Sequence, residues 1–261
     1  MIRKIAVLGF VIATMCIDAA AQYMQAIPPD KPGNEQARME VMQKWLNDWA
    51  NLSRYGEADK KLGPAAPGEK RVVFMGDSIT DIWDLAKYFP DKPYVDRGIS
   101  GQTTPQMLVR FHPDVVELKP AVVVILGGTN DIAGNTGPMT TEQIEGNIAS
   151  MADIARAEGI RVVLASVTPI YPAASHMRFY EQRSPEKIRE LDGWIQSYCE
   201  RTGCTYLDYY SKLVDKNGEL RHELSDDGLH PNASGFALMA PLAEAAIERA
   251  VASRRAPVAR H

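Results

Sequence analysis

The run Ala121-Val122-Val123-Val124-Ile125-Leu126 constrains this chain more than any other segment. It is apolar throughout and dominated by β-branched residues, which favour extended backbone. A strand with no polar side has no face to offer to water. It must be covered above and below, as a central strand of a parallel sheet is. Further runs at 71–75, 94–97, 160–165 and 205–207 repeat the theme less purely, and helical patterns separate them. Ile144, Ile148, Met151 and Ala155 share one helical face, with Thr140 and Gln143 spaced as a capping box and Gly159 placed to terminate the helix. Ile188, Leu191, Ile195 and Tyr198 share another, opened by Ser184-Pro185 and closed by Gly203. Alternating strands and helices imply an α/β fold, a parallel sheet with helices on both faces. A final helix is expected over 233–252, kinked or split at Pro241.

The ends of the chain read differently. Arg3 and Lys4 precede an apolar run over 5–16, and Ala19-Ala20-Ala21 supplies small residues. That order is a signal peptide, residues 1–21, with cleavage expected after Ala21 and a secreted or periplasmic destination. The run is shorter than the roughly 20 residues that span a bilayer, so stable membrane insertion is not expected. Lipid attachment at Cys16 is disfavoured by the large Met15 before it. An N-terminal extension, 22–68, follows. Met39, Met42, Trp45 and Trp49 recur in it at helical spacing, predicting an amphipathic helix from Met39 to Tyr55. The breaker Gly63-Pro64-Ala65-Ala66-Pro67-Gly68 leads into a domain over 69–252, and 253–261 is a polar tail. The net charge of −4, with Lys and Arg scattered, argues against nucleic acid as a partner. Of the three cysteines, Cys199 and Cys204 remain after cleavage. Export permits a disulfide, and a helix ending near Gly203 would bring the pair close. Two separate buried thiols is the reading slightly favoured at this point.

Ligands of open α/β sheets bind beyond the carboxyl ends of the strands. The segments there are Gly76-Asp77-Ser78-Ile79-Thr80, then Gly98-Ile99-Ser100-Gly101-Gln102-Thr103-Thr104, then Gly127-Gly128-Thr129-Asn130-Asp131, and finally Asp226-Asp227-Gly228-Leu229-His230-Pro231. Each alone has an ordinary explanation. Ser78 could be a helix cap, Asn130-Asp131 a helix start, Thr103 and Thr104 caps, and His230 a structural histidine. Together they supply a hydroxyl nucleophile, a base and a carboxylate to fix the base's tautomer, in Ser78, His230 and Asp227. They also supply oxyanion donors, in the Ser78 amide, the Gly101 amide and the Asn130 side chain. Asp227, three residues before His230, is favoured over its neighbour Asp226. Trp83, Tyr88 and Tyr171 are candidate pocket walls, although aromatics near strand ends are more often core.

These blocks resemble those of the SGNH/GDSL hydrolase superfamily. Gly76-Asp77-Ser78 matches its first block, Gly101 the second, Gly128-Thr129-Asn130-Asp131 the third and Asp227 to His230 the last, in order across about residues 71–250. Ile79 replaces the usual leucine. The resemblance implies a flavodoxin-like, three-layer α/β/α sandwich of about five strands and ester hydrolysis without metal or cofactor. The stretch from Gly98 to Thr104 is most similar to the branch around platelet-activating-factor acetylhydrolase, whose members act on short acyl groups; related exported members deacetylate carbohydrates. The expected partner is a small-molecule or glycan ester. Besides an anion-binding flavodoxin-like protein, which would want a longer phosphate loop after the first strand than Gly76-Asp77-Ser78 offers, two rivals stand beside this reading. One is a catalytically silent module of the same fold that binds glycan or lipid. The other is a metal-dependent hydrolase using His222, Asp226 and His230, which no metal-binding motif spacing supports.

Overall fold

A computed structural model describes residues 35–253; the expected signal peptide and residues 254–261 of the tail lie outside them. The chain begins with helices α1 (Glu35–Asn47) and α2 (Ser53–Leu62). Then β1 (Val72–Gly76) leads to α3 (Ser78–Asp81), β2 (Tyr94–Gly98) to α4 (Thr104–Phe111), and β3 (Val122–Leu126) to α5 (Thr129–Ile132) and α6 (Thr141–Ala157). After β4 (Arg161–Ala165) come α7 (Met177–Glu181) and α8 (Pro185–Thr202), and after β5 (Thr205–Leu207) the long α9 (Ala233–Ala252). The five strands form one parallel sheet in the order β2-β1-β3-β4-β5.

The alternation of side chains along a strand divides the interior in two. Val72, Phe74, Val122, Val124 and Val163 face one side, where α9 and an aromatic group around Trp83 cover them. Val73, Met75, Val123, Ile125 and Val162 face the other, under α4, α6 and α8. A central strand covered on both faces therefore needs apolar residues at odd and even positions alike, which is why β3 carries no polar residue, whereas the edge strand β2 keeps Asp96 and Arg97. This is the expected three-layer sandwich.

The expected caps are present. Thr140 and Gln143 form their reciprocal box, Ser184 accepts from the Lys187 amide, and Gly203 ends α8 in a left-handed conformation. Elsewhere the structure corrects the sequence reading. The helix expected from Met39 to Tyr55 is broken, because both Asp48 carboxylate oxygens accept backbone amides, from Leu52 at 2.7 Å and Ser53 at 2.9 Å. The chain turns there through Asn51 at positive φ. The apolar stripe of α1 is not buried: Met39 is 65% and Leu46 80% exposed. Pro241 neither splits nor ends α9. It lies on the exposed side of the helix, where water can satisfy the carbonyl that its missing N–H leaves free. Cys199 and Cys204 form a disulfide, with Cα atoms 4.5 Å apart, rather than two separate thiols.

Residues before β1 are tied into the sheet edge. Asp59 of α2 pairs with the buried Arg97 of β2, and the Tyr55 hydroxyl donates to Gly98 O. Gln102 and Gln106 donate their amides to Ala50 O and Trp49 O, each at 2.7 Å. Among the described residues no helix is long and apolar enough to cross a membrane.

At the carboxyl ends of β1 and β2 lies Arg110, 0% exposed. Its guanidinium donates to Gly76 O and Arg97 O, both at 2.9 Å, to Asp114 at 2.7 Å, and to the Gln102 side chain. Arg110→Met should cost about 3–5 kcal/mol of unfolding free energy, because it strands a buried carboxylate. The double variant Arg110→Met/Asp114→Leu should recover part of the loss. Urea melts measure both, and a single-variant loss below about 1 kcal/mol would contradict the assignment.

A second buried carboxylate gives a pH signature. Asp192 of α8 accepts the Val167 amide at 2.7 Å, while its other oxygen has no partner. Burial, assisted by the charge of Asp208 and opposed by the Val167 amide, pushes its pKa up to about 8. The folded protein thus holds this proton more tightly than the unfolded chain, whose value is near 3.8. The contribution of Asp192 to stability is full at acid pH and falls as pH rises toward about 8. Asp192→Asn should flatten that decline in urea midpoints measured from pH 4 to 9. A decline of unchanged size would assign it to another group.

Candidate active site

The order β2-β1-β3 makes β1 the point where the chain reverses its progress across the sheet. In open α/β sheets the ligand crevice lies at such a reversal, between the loops that leave β1 and β3. Ser78 follows β1 as the first residue of α3, with Asp77 capping the helix through its contact to the Ile79 amide at 3.0 Å. The helix sits hard against the end of β2. A Cβ on Gly98 would lie 2.1 Å from Asp81 N, so only glycine permits the approach. Asp81 in turn accepts the Ser100 amide at 3.0 Å and its hydroxyl at 2.6 Å, fixing the β2 loop beside α3.

That loop carries Gly101 at φ +76°, its carbonyl held by Asn135 at 3.0 Å. The β3 loop carries Asn130, whose Nδ2 donates to Gln102 O at 3.0 Å and lies 3.4 Å from Asp77 Oδ2. The adjacent Asp131 does not face the crevice. It accepts the Thr104 amide and hydroxyl and anchors the start of α4 to α5. Thr103 caps α4, the ordinary role considered for it. Among the described residues the Ser78 and Gly101 amides donate to no other group. Burial raises the pKa of Asp77 to about 6, opposed by the Ile79 amide and by the charges of His230 and Arg183.

The last loop returns His230 to the crevice. Its Nε2 is 2.9 Å from Ser78 Oγ, and its Nδ1 is 2.6 Å from Asp227 Oδ2. Gly228, at φ +85°, allows the turn, and a Cβ there would strike Tyr171 O at 2.3 Å. Asp227 Oδ1 accepts the Leu229 and His230 amides at 2.9 and 2.8 Å. Burial works against its ionisation, but the His230 ring and these amides outweigh burial and hold its pKa well below the usual carboxylate range. An ionised carboxylate only accepts, so Nδ1 carries the ring proton and Nε2 is free to accept from Ser78. Asp226 is exposed and meets Asn232 at 3.2 Å.

Of the residues expected at the site, Ser78, His230 and Asp227 are joined in one hydrogen-bonded row, while Asn130 reaches Asp77, the neighbour of Ser78, and Gly101 lies next to Ser100, which Asp81 of α3 holds. The candidate pocket walls take no part in these contacts. Trp83 is buried among Phe74, Phe89, Tyr209 and Phe236, and Tyr88 packs at that cluster's edge. Tyr171 stacks on His222 at 4.1 Å and donates to Ser225 O. His222 and Asp226 thus have partners of their own, and no three metal-ligating side chains converge among the described residues. Two residues went unnoticed in the sequence. Phe179 presents its ring edge-to-face with His230 at 5.8 Å, and Arg183 donates to Asn130 Oδ1 at 2.9 Å. Neither belongs to a recognisable motif.

Residues 74–238 match the family model described as the GDSL-like lipase/acylhydrolase family. The chain is similar to a GDSL-like lipase of Bacteroides thetaiotaomicron of known crystal structure, at 40% identity and a TM-score of 0.72, over 77% of this chain and 99% of that one. It is 31% identical to the lipoprotein YqeF of Bacillus subtilis over 62% of this chain and 75% of that protein. It is 41% identical to the esterase TesA of Pseudomonas aeruginosa over a shorter stretch, 32% of this chain and 42% of that protein. By sequence match and fold alike, this chain belongs to the GDSL-like lipase/acylhydrolase family and is a carboxylic ester hydrolase of that type.

Proposed function

We propose that the chain is an exported serine hydrolase that removes short, acetyl-type acyl groups from small-molecule or glycan esters. The observation that carries this reading is the unbroken hydrogen-bond chain from Asp227 through both ring nitrogens of His230 to Ser78. Ser78 Oγ attacks the ester carbonyl carbon as its proton passes to His230 Nε2. Asp227 holds the ring in place and balances its new charge. The carbonyl oxygen, now an oxyanion, is received by the Ser78 and Gly101 amides and by Asn130 Nδ2. Collapse breaks the bond to the alcohol, which leaves with the proton from Nε2. Water then attacks the acyl-serine by the same route and releases the carboxylic acid.

Export is supported by the basic, apolar and small-residue order of the first 21 residues, by the Cys199–Cys204 disulfide and by the likeness to a lipoprotein. The preference for short acyl groups rests on the similarity of the loop from Gly98 to Thr104 to acetylhydrolases. A panel of p-nitrophenyl esters from acetate to palmitate, with acetylated sugars beside it, tests the preference. Activity should be highest on the shortest acyl chain. A maximum at long chains would make the protein a lipase, and no turnover of any ester would favour the silent binding module.

Single substitutions separate the roles. Ser78→Ala should remove activity by on the order of 10⁶ while leaving the melting temperature near the parental value. Asn130→Ala should lower kcat by roughly 10² to 10³ with little change in KM. Asp227→Asn should lower kcat by roughly 10⁴, since an amide can donate to Nδ1 and stabilise the wrong tautomer, whereas Asp226→Asn should stay within a few-fold. Equal losses at 226 and 227 would mean that the wrong acid has been assigned.

A further inference from the structure

Arg183 lies in the turn between α7 and α8, 4% exposed, with its guanidinium toward the β3 loop. Nε donates to Thr129 Oγ1 at 3.0 Å, Nη2 to Asn130 Oδ1 at 2.9 Å and Nη1 to Phe179 O at 3.2 Å. Among the described residues no carboxylate lies within ion-pair distance of it. Burying a cation without such a partner is expensive. That burial draws its pKa down to about 10, against the more distant charges of Asp77 and Asp227. An apolar side chain would fill the same space at lower cost, so packing does not account for the residue.

We infer that Arg183 is the positioning residue of the oxyanion site, fixing the amide of Asn130 in its productive orientation. The inference rests on the role proposed above for Asn130. The two ends of an asparagine amide are nearly identical in shape, and a half-turn about χ2 exchanges them. A guanidinium has five donors and no acceptor, so it tolerates only the oxygen end. With Oδ1 held by Nη2, Nδ2 must face Gln102 O and the crevice. One of its hydrogens engages Gln102 O; the other lies toward Asp77 at a long 3.4 Å, a weak contact that an ester oxygen entering in the amide plane can replace without the amide moving. The cation also polarises the amide, which makes each N–H a stronger donor. The same segment reaches the base, since Phe179 meets both the Arg183 guanidinium, at 5.7 Å, and the His230 ring. One short stretch therefore braces the oxyanion donor and the acid-base group together.

The test is steady-state kinetics on p-nitrophenyl acetate with the secreted protein. The variants are Arg183→Gln, Arg183→Lys, Asn130→Ala and the double variant Asn130→Ala/Arg183→Gln, each checked by thermal melting. Arg183→Gln should lower kcat by about 10- to 100-fold with KM within about two-fold, a fraction of the loss from deleting the donor itself. Arg183→Lys, which keeps the charge and one donor, should recover part of that loss. In the Asn130→Ala background, Arg183→Gln should cost less than about two-fold, because there is no amide left to orient. Losses that multiply, an effect on KM alone, or an unchanged kcat in Arg183→Gln would overturn the inference. If Arg183→Gln does not fold, Arg183→Lys decides by the same cycle, with multiplicative losses overturning the inference. Retention of activity by Asn130→Ala would instead sink the underlying reading of the oxyanion site.

Discussion

The Arg110 guanidinium is the constraint on which the catalytic crevice depends. Beyond the carboxyl ends of parallel strands the ladder runs out, and Gly76 O there keeps one backbone partner, the Ile99 amide at 3.1 Å. Arg110 takes up Gly76 O at the end of β1 and Arg97 O near the end of β2, from a position closed to water. It also holds the Gln102 side chain, and the Gln102 carbonyl receives Asn130. Loops from β1, β2 and β3 are thus referred to a single buried cation. Asp114, one helical turn along, supplies the countercharge that makes burial of that cation tolerable.

Around this centre the site is assembled from segments distant in sequence, and backbone contacts set most of its geometry. Ser78 is placed by a four-residue helix wedged against Gly98. Asp81 and Asp131 do not face substrate; they pin neighbouring loops through the Ser100 and Thr104 amides. His230 arrives on a turn folded back by Gly228, and Asp227 holds both that turn and the ring. Buried carboxylates recur here because each converts a flexible loop amide into a fixed one, at the cost of desolvation seen in the raised pKa values of Asp77 and Asp131, both about 6.

Much of this was legible in the sequence. The β3 run requires cover on both faces, and the strand boundaries came within one residue because apolar runs are bounded by Gly and charged residues. Ser78, Asp227 and His230, which the fold joins by hydrogen bonds, stood out together with Gly101 and Asn130 because each lies in a short block just beyond a strand or closing turn. The rest was hidden for physical reasons. The break after Asn47 depends on an aspartate side chain capturing two amides, which apolar periodicity does not register. Pro241 is tolerated because of the side of the helix it occupies, a property of tertiary packing. Arg183 and Phe179 act through contacts to residues some fifty positions away, and nothing in their neighbours marks them.

The contacts made by residues 49–62 bear on how the protein can be divided. The family match begins at residue 74, inside β1, and ends at 238, inside the final helix. A polypeptide cut at those points would leave Arg97 without Asp59, and Gln102 and Gln106 without the carbonyls of Ala50 and Trp49. It would also shear away the last four turns of α9 and expose one face of the sheet. The unit that can be moved between proteins, fused to a partner or inserted into another chain is therefore larger than the stretch that carries the chemistry. The portable module is the catalytic frame together with the clasp that precedes it.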